Sequence, residues 1–238
     1  DSGDKESAIG FVGPFKNLTK VQSSSTLSSV KKLTSFETSM EAGSEIVAFD
    51  EKTNRMFTTN GATNSIDVNT IVYDKETKQT STSALASIDL SIYGDGVNSV
   101  AVKNSKIAVA MKKVDSEDSS KHLKGAVVVF DINGKHLKTI EAGYLPDMVT
   151  FNEDASQIIV ANEGEPNKDY SYDPIGSIGI IDISKNYAYT DLTFDEVTIP
   201  LNVIIKKDTS ASKDLEPEYI TVKDNKAYVS LQENNAMA

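Results

Sequence analysis

The chain has 238 residues and a formal net charge of −11, from 24 Lys and Arg against 35 Asp and Glu. A chain of this length buries roughly 70–75% of the surface that it exposes when unfolded, so one sizeable core can form without disulfides or metals. The negative charge disfavours nucleic acid and anionic membrane surfaces as partners. No apolar run reaches the roughly 18 residues of a membrane-spanning helix. The absence of cysteine excludes thiolate nucleophiles, iron–sulfur clusters and Cys-based zinc sites.

Residues 1–42 form a Ser/Thr-rich N-terminal segment. Between Thr19 and Ser39, 11 of 21 positions are Ser or Thr. Because these residues are poor in helix interiors, the composition favours an extended outer strand or a surface tether. The chain starts with Asp1 rather than Met, which is typical of an exported chain after processing or of a trimmed chain.

From Gly43 onward, short apolar bursts alternate with turn residues, and no stretch keeps a 3.6-residue period. This pattern predicts an all-β fold with fourteen strands. The predicted strands are 45–49, 55–59, 70–74, 99–102, 107–111, 126–132, 137–140, 148–151, 157–161, 177–183, 197–200, 202–206, 219–222 and 227–231. The Asn133-Gly134 pair predicts a two-residue hairpin turn, which would place His136 opposite Asp131.

An internal repeat identifies the type of β fold. When Glu45, Asn98, Asp147 and Glu218 are matched, the spacings are 53, 49 and 71 residues, the length of one four-stranded propeller blade with an insertion in the third interval. We therefore predict a partial β-propeller over residues 43–238, with about four blades of a longer, seven-bladed propeller and a truncated last blade. Because open sheet edges are avoided in proteins, the remainder of the propeller or another chain is expected to cover the open edge.

Two phrases resemble a known family. These are Asn162-Glu163-Gly164-Glu165-Pro166 and Leu231-Gln232-Glu233-Asn234-Asn235-Ala236. They are similar to phrases of the choice-of-anchor I family, and the resemblance covers roughly residues 43–238. It implies a secreted or surface bacterial β-propeller, similar to mesenchyme-specific cell-surface glycoproteins. Members often have phosphatase or phytase-like labels, but the resemblance transfers no catalytic residue.

The loop from Asn162 to Gly176 is rich in carboxylates. Its candidate metal ligands are Glu163, Glu165, Asp169 and Asp173, hard oxygen donors of the type that calcium prefers. Three interpretations stay open, namely solvation of an acidic surface, a calcium site and a catalytic metal site. A second group of candidates, expected to bind a ligand near the central opening, lies at inner-strand starts and in the last loop: Asp147, Glu218, Gln232, Glu233 and Asn234.

Other catalytic patterns are absent from the sequence. There is no Gly-x-Ser-x-Gly elbow, P-loop or complete dinucleotide-binding glycine pattern. Both histidines, His122 and His136, lie beside lysines, which disfavours a bound cation, so we expect a structural or exposed role for them. Arg55 is the only arginine, so bidentate phosphate clamps are scarce.

Two functions from different classes follow. The first is an extracellular or cell-surface propeller with an acidic, calcium-binding rim, which acts in surface interaction or binds a polymer, a mineral or a protein. The second is a calcium-dependent phosphoester hydrolase, in which Asp147, Glu163, Glu165, Glu218 and Glu233 converge on one opening and hold metal ions.

Overall fold

The structure is a computed structural model that describes residues 9–10, 32, 34–35, 43–195, 197–201, 203–206 and 208–238. The outer strand or tether predicted within residues 1–42 lies almost entirely outside the described residues. In the described part of the chain, no helix is long and apolar enough to cross a membrane.

The described residues form four antiparallel sheets, each built from strands that are consecutive in the sequence. Blade 1 contains β1 (Val47–Asp50), β2 (Arg55–Asn60), β3 (Ser65–Asp74) and β4 (Gln79–Asp89). Blade 2 contains β5 (Gly96–Lys103), β6 (Lys106–Val114), β7 (His122–Asp131) and β8 (His136–Tyr144). Blade 3 contains β9 (Pro146–Phe151), β10 (Gln157–Asn162), β11 (Ser177–Asp182) and β12 (Ala188–Leu192). Blade 4 contains β13 (Pro217–Lys223), β14 (Lys226–Leu231) and β15 (Ala236–Met237), with α1 (Ala211–Asp214) before it.

The core is divided into three apolar clusters, one between each pair of neighbouring blades. Strand β6 shows how one strand serves two clusters. Val109 and Met111 pack toward blade 1, whereas Ala108 and Ala110 pack toward blade 3. Because successive side chains of a strand point to opposite faces, a middle strand that is apolar on both faces must lie between two other sheets. This packing is the β-propeller that the repeat predicts.

Polar contacts also join neighbouring blades. The Asn98 side chain donates to the Pro146 carbonyl over 2.9 Å, and the Val149 amide donates to Ser99 Oγ over 3.3 Å. These bonds connect the inner strands β5 and β9 and so fix where the inner strand of blade 3 starts relative to that of blade 2. The start of β9 is the position of the candidate ligand Asp147.

Three details of the sequence-based strand assignment are wrong. Residues 197–200 and 202–206 are not strands where they are described, because they belong to the long connection from β12 to β13. Ile199, Val203 and Ile205 instead cover the end of the core between blades 3 and 4. The outer strands β4 and β12 were not predicted, since they lack an apolar run. The hairpin from β7 to β8 is longer than two residues, and His136 lies opposite Phe130 rather than Asp131.

Candidate functional site

The two faces of the propeller are built by different connections. We call the upper face the one formed by the connections from second to third strands and from one blade to the next. Six acidic residues lie at or beside strand ends on this face, and we call them the acidic mouth: Asp147, Glu163, Glu165, Glu216, Glu218 and Glu233. The structure thus brings together on one face five acids that the sequence analysis singled out, and it adds Glu216.

A buried asparagine positions the first acid of the loop that follows β10. Asn162 is fully buried, and its Oδ1 accepts from the Gly143 amide over 3.1 Å. Its Nδ2 donates to Ser177 Oγ over 3.0 Å and to Tyr189 Oη over 3.1 Å. Because the Asn162 side chain ties β10 to β8, β11 and β12, the next residue, Glu163, leaves the sheet in a fixed direction.

A left-handed glycine then turns the chain across the upper face. Gly164 has φ of +72°, and its Cα lies so close to the following part of the loop that a Cβ would be 2.4 Å from Gly176 N. The Glu163 amide donates to the Leu145 carbonyl over 2.9 Å. Only glycine combines this φ with this close approach at no steric cost, so the sequence Glu-Gly-Glu folds back on itself at the mouth.

Glu163 is the most strongly perturbed acid of the mouth. Its pKa rises from 4.5 to about 8, first because it is half-buried and then because Asp147, Glu165, Glu216 and Glu218 lie within electrostatic reach. Burial and nearby like charges both disfavour the ionised form of a carboxylic acid. Glu163 therefore holds a proton near neutral pH.

Glu216 is the second such acid. It is only 6% exposed. Burial raises its pKa to about 7, while Lys206 opposes the shift and Glu233, Glu165 and Asp173 add to it. The mouth therefore combines a buried carboxylate with a deficit of positive charge.

The pKa of two further mouth acids, Asp147 and Glu218, is also raised. Burial, followed by the charge of Glu45, raises the pKa of Asp147, although Lys112 opposes the shift. The pKa of Glu218 is also raised, by burial and then by the charges of Asp147 and Glu233. Glu45 and Asp147 occupy matching positions in the sequence repeat, and the effect of Glu45 on the pKa of Asp147 shows that these two positions lie within electrostatic reach of each other.

The pKa of acids that lie away from the mouth is lowered rather than raised. The pKa of Asp169 is lowered because its carboxylate accepts hydrogen bonds from Ser171 Oγ over 2.7 Å and from the Ser171 amide over 3.1 Å. Hydrogen bonds to Ser120 lower the pKa of Asp118 in the same manner. These carboxylates are satisfied within their own turns, and no mouth carboxylate contributes to the pKa of Asp169. The structure therefore does not bring Asp169 into the mouth.

The remaining predicted ligands have varied positions. Asp173 is half-buried and contributes to the pKa of Glu216, and its Oδ1 is buried without a hydrogen-bond partner among the described residues. Gln232 is exposed. Asn234 donates to the Ile204 carbonyl and to Asp214 Oδ2, both over 3.1 Å, so it holds the connection before β13 in place.

Sequence reasoning missed three groups beside the mouth. Glu216 stands two positions before Glu218, but the repeat matched only Glu218 to other blades. Lys206 Nζ is 3.3 Å from the buried Asp214 Oδ1, a pairing across an irregular connection. His122 Nε2 lies 3.6 Å from Glu165 Oε2, so one of the two histidines borders the mouth. A Glu-Pro-Glu sequence at a strand start was the signal available for Glu216.

The mouth has the type of oxygen ligands that calcium prefers, but these ligands are not arranged around one ion position. Carboxylate oxygens suit calcium, which takes six to eight oxygen ligands in a tolerant geometry. Among the described residues, however, no group of three or more His, Asp or Glu side chains is arranged to hold a metal ion. Side-chain rotation and water ligands would have to complete any calcium site here.

Comparison with known proteins gives the family. Residues 45–238 match the choice-of-anchor I domain. The chain belongs to the choice-of-anchor I family. This confirms the resemblance carried by the two loop phrases, and the family is one of surface or secreted proteins. Among curated proteins, no relative matches the chain.

Solved structures of similar fold are distant in sequence. Hydrazine synthase of Kuenenia stuttgartiensis is 14% identical, with a TM-score of 0.46 over 79% of this chain and 62% of that one. The periplasmic gluconolactonase PpgL of Pseudomonas aeruginosa is 12% identical, with a TM-score of 0.48 over 79% of this chain and 50% of that one. Nidogen in a nidogen/laminin complex is 10% identical, with a TM-score of 0.48 over 80% of this chain and 56% of that one. The chain thus spans 50–62% of the length of these structures, and the likeness is one of fold alone.

Proposed function

We propose that this choice-of-anchor I propeller is an extracellular or cell-surface binding module whose acidic mouth binds calcium and contacts a surface polymer, a mineral or a protein. The observation that supports this proposal is the raised pKa of Glu163, about 8, to which burial and four other carboxylates contribute. Acids that only solvate a surface keep ordinary or lowered values, as Asp169 does.

A divalent cation bound among the mouth carboxylates would offset their mutual repulsion, which raises the pKa of Glu163 in addition to burial. Ionising Glu163 and Glu216 together is unfavourable because each lies near several carboxylates and few cations. A nearby positive charge favours the ionised form of a carboxylic acid, so calcium and protons would compete for the same oxygens. We expect calcium rather than magnesium at this mouth, because calcium accepts six to eight oxygens in a tolerant geometry whereas magnesium needs a near-ideal octahedron.

A phosphoester hydrolase is a second candidate, favoured by one specific property. A carboxylic acid that keeps its proton near neutral pH can act as a general acid toward a leaving group, and Glu163 has this property. The test is calcium-dependent phosphate release from p-nitrophenyl phosphate or phytate. No release by the folded protein would contradict this candidate, whereas activity that Glu163→Gln abolishes without loss of fold would contradict a purely binding role.

Thermal unfolding in EDTA, and then with calcium, magnesium or manganese added back, tests the calcium proposal. A ligand that binds only the folded state stabilises it by about 2.7 kcal/mol at a hundred times its Kd. We expect calcium to raise the melting temperature most, and we expect Glu163→Gln and Glu216→Gln to reduce that rise. Glu117→Gln is the matched control, because Glu117 is an exposed acid of an outer loop. The absence of a shift with any metal would refute the proposal.

A further inference from the structure

The upper face also has the most exposed apolar side chains of the described chain. Leu201 is 105% exposed, Ile92 82%, Ile204 79% and Tyr170 71%. The other exposed large apolar side chains that the structure describes are at most 58% exposed. All four residues lie in connections that form the upper face. Single exposed apolar residues are ordinary, but their concentration on one face is typical of an interaction surface.

Three of these residues form what we call the apolar patch: Tyr170, Leu201 and Ile204. Contacts place this patch beside the acidic mouth. The Ile204 carbonyl accepts from Asn234 Nδ2 over 3.1 Å, and Asn234 directly follows Glu233 in the chain. Lys206 lies within electrostatic reach of both Tyr170 and Glu216. Ile204 and Tyr170 therefore lie near the mouth, and Leu201 stands three residues before Ile204 in the same connection.

The connection from β12 to β13 separates its apolar residues into two sets. Val203, Ile199 and Ile205 pack against the core between blades 3 and 4. Leu201 and Ile204 are left in solvent by the same segment. Since the inward residues suffice to anchor the connection, the outward pair contributes nothing to the core and exposes apolar area that a partner could bury.

We propose that the apolar patch and the acidic mouth together dock a protein segment in which Lys or Arg side chains alternate with apolar ones. The choice of partner rests on charge complementarity, because six carboxylic acids lie together at the mouth and the chain has a formal net charge of −11. A cationic side chain would pair with these carboxylates. The proposal rests on the proposed function in that the mouth is a binding surface, and it adds the chemistry of the partner.

Three labelled synthetic peptides test the proposal by fluorescence anisotropy. The first alternates Leu and Lys, the second replaces Leu with Ser, and the third replaces Lys with Glu. We expect the wild-type protein to bind the Leu/Lys peptide most tightly, the Ser/Lys peptide about tenfold or more weakly, and the Leu/Glu peptide not measurably. Equal affinity for the Leu/Lys and Ser/Lys peptides would overturn the role of the patch.

Matched variants locate the binding surface. The double variant Leu201→Ser and Ile204→Ser should weaken Leu/Lys binding about tenfold or more and change Ser/Lys binding less than about twofold. The control variant Val72→Ser and Leu85→Ser removes side chains that are 55% and 50% exposed on β3 and β4 of blade 1, and it should bind as the wild type does. Unchanged Leu/Lys binding by the patch variant would refute the proposal.

Two further measurements separate this inference from its alternatives. Binding of the wild type to phosphatidylcholine vesicles, lost in the patch variant, would overturn a protein partner in favour of a membrane. The calcium-induced shift in melting temperature should be the same in the patch variant and the wild type. If calcium gives no shift but patch-dependent Leu/Lys binding persists, the calcium proposal fails and the docking surface stands.

Discussion

Replacing Glu163 with glutamine should stabilise the protein at alkaline pH and hardly at all at acidic pH. The pKa of Glu163 is about 8 in the folded protein against 4.5 for an ordinary glutamate. Between these values the folded state keeps a proton that the unfolded state has released, so the stability tied to this group is present at low pH and lost as the pH rises through 8. Glutamine cannot ionise and avoids that loss.

The size of the effect follows from the shift. A rise from 4.5 to about 8 corresponds to at most about 5 kcal/mol at about 1.36 kcal/mol per pH unit. Because Glu163 is half-buried rather than enclosed, solvent screening reduces this to about 2–4 kcal/mol. For a protein of this size, the variant should melt roughly 5–15 °C higher at about pH 8.5.

The assay is urea or thermal unfolding of wild type and Glu163→Gln from about pH 5 to about pH 8.5 in EDTA. The stability difference should be below about 1 kcal/mol at the acidic end and should grow with pH. Glu117→Gln, at an exposed loop position, should show no such growth. A difference that is constant with pH, or a variant less stable than wild type at alkaline pH, would refute the electrostatic account of the mouth.

Two more substitutions test how the loop after β10 is held. Gly164→Ala should destabilise the protein by about 1–3 kcal/mol in urea unfolding, because φ is +72° and the new Cβ would lie 2.4 Å from Gly176 N; a variant with wild-type stability would mean that the turn can relax. Asn162→Ala removes a side chain that makes three hydrogen bonds, two of them buried, and should cost about 2–4 kcal/mol. A loss below about 0.5 kcal/mol would show that the strands need no such anchor.

The repeat in the sequence was sufficient to predict the propeller because the inner and middle strands are the most constrained. Strand β6 must place Val109 in one core and Ala108 in the next, so its apolar character is visible as a run. The outer strand β4 is largely exposed and consists mostly of Ser, Thr and Ala, so nothing in its pattern distinguishes it from a loop. The false strand at 197–200 has a related cause, because its Ile199 packs against a core from an irregular connection.

The site was only partly predictable, since the repeat gives position but not environment. Asp147 and Glu218 could be placed on one face from their matching positions in the blades. Asp169 and Glu163 belong to the same acidic loop, and no sequence pattern shows that Asp169 is satisfied by Ser171 while Glu163 faces other carboxylates. That difference arises from the fold of the loop, which Gly164 directs.

The mouth acids reduce the stability of the folded protein when they ionise, whereas acids such as Asp169 do not. Burial and mutual repulsion hold the pKa of Glu163 and of Glu216 at about 8 and about 7, so each disfavours the folded state when it ionises. Replacing either by a neutral residue would be an easy route to higher stability. Strain of this kind is expected where a binding surface needs it, and the neighbouring apolar patch adds an exposed area that also contributes nothing to folding. The proposed docking of a segment with cationic and apolar side chains would use both features, since the mouth would bind the cationic groups and the patch the apolar ones.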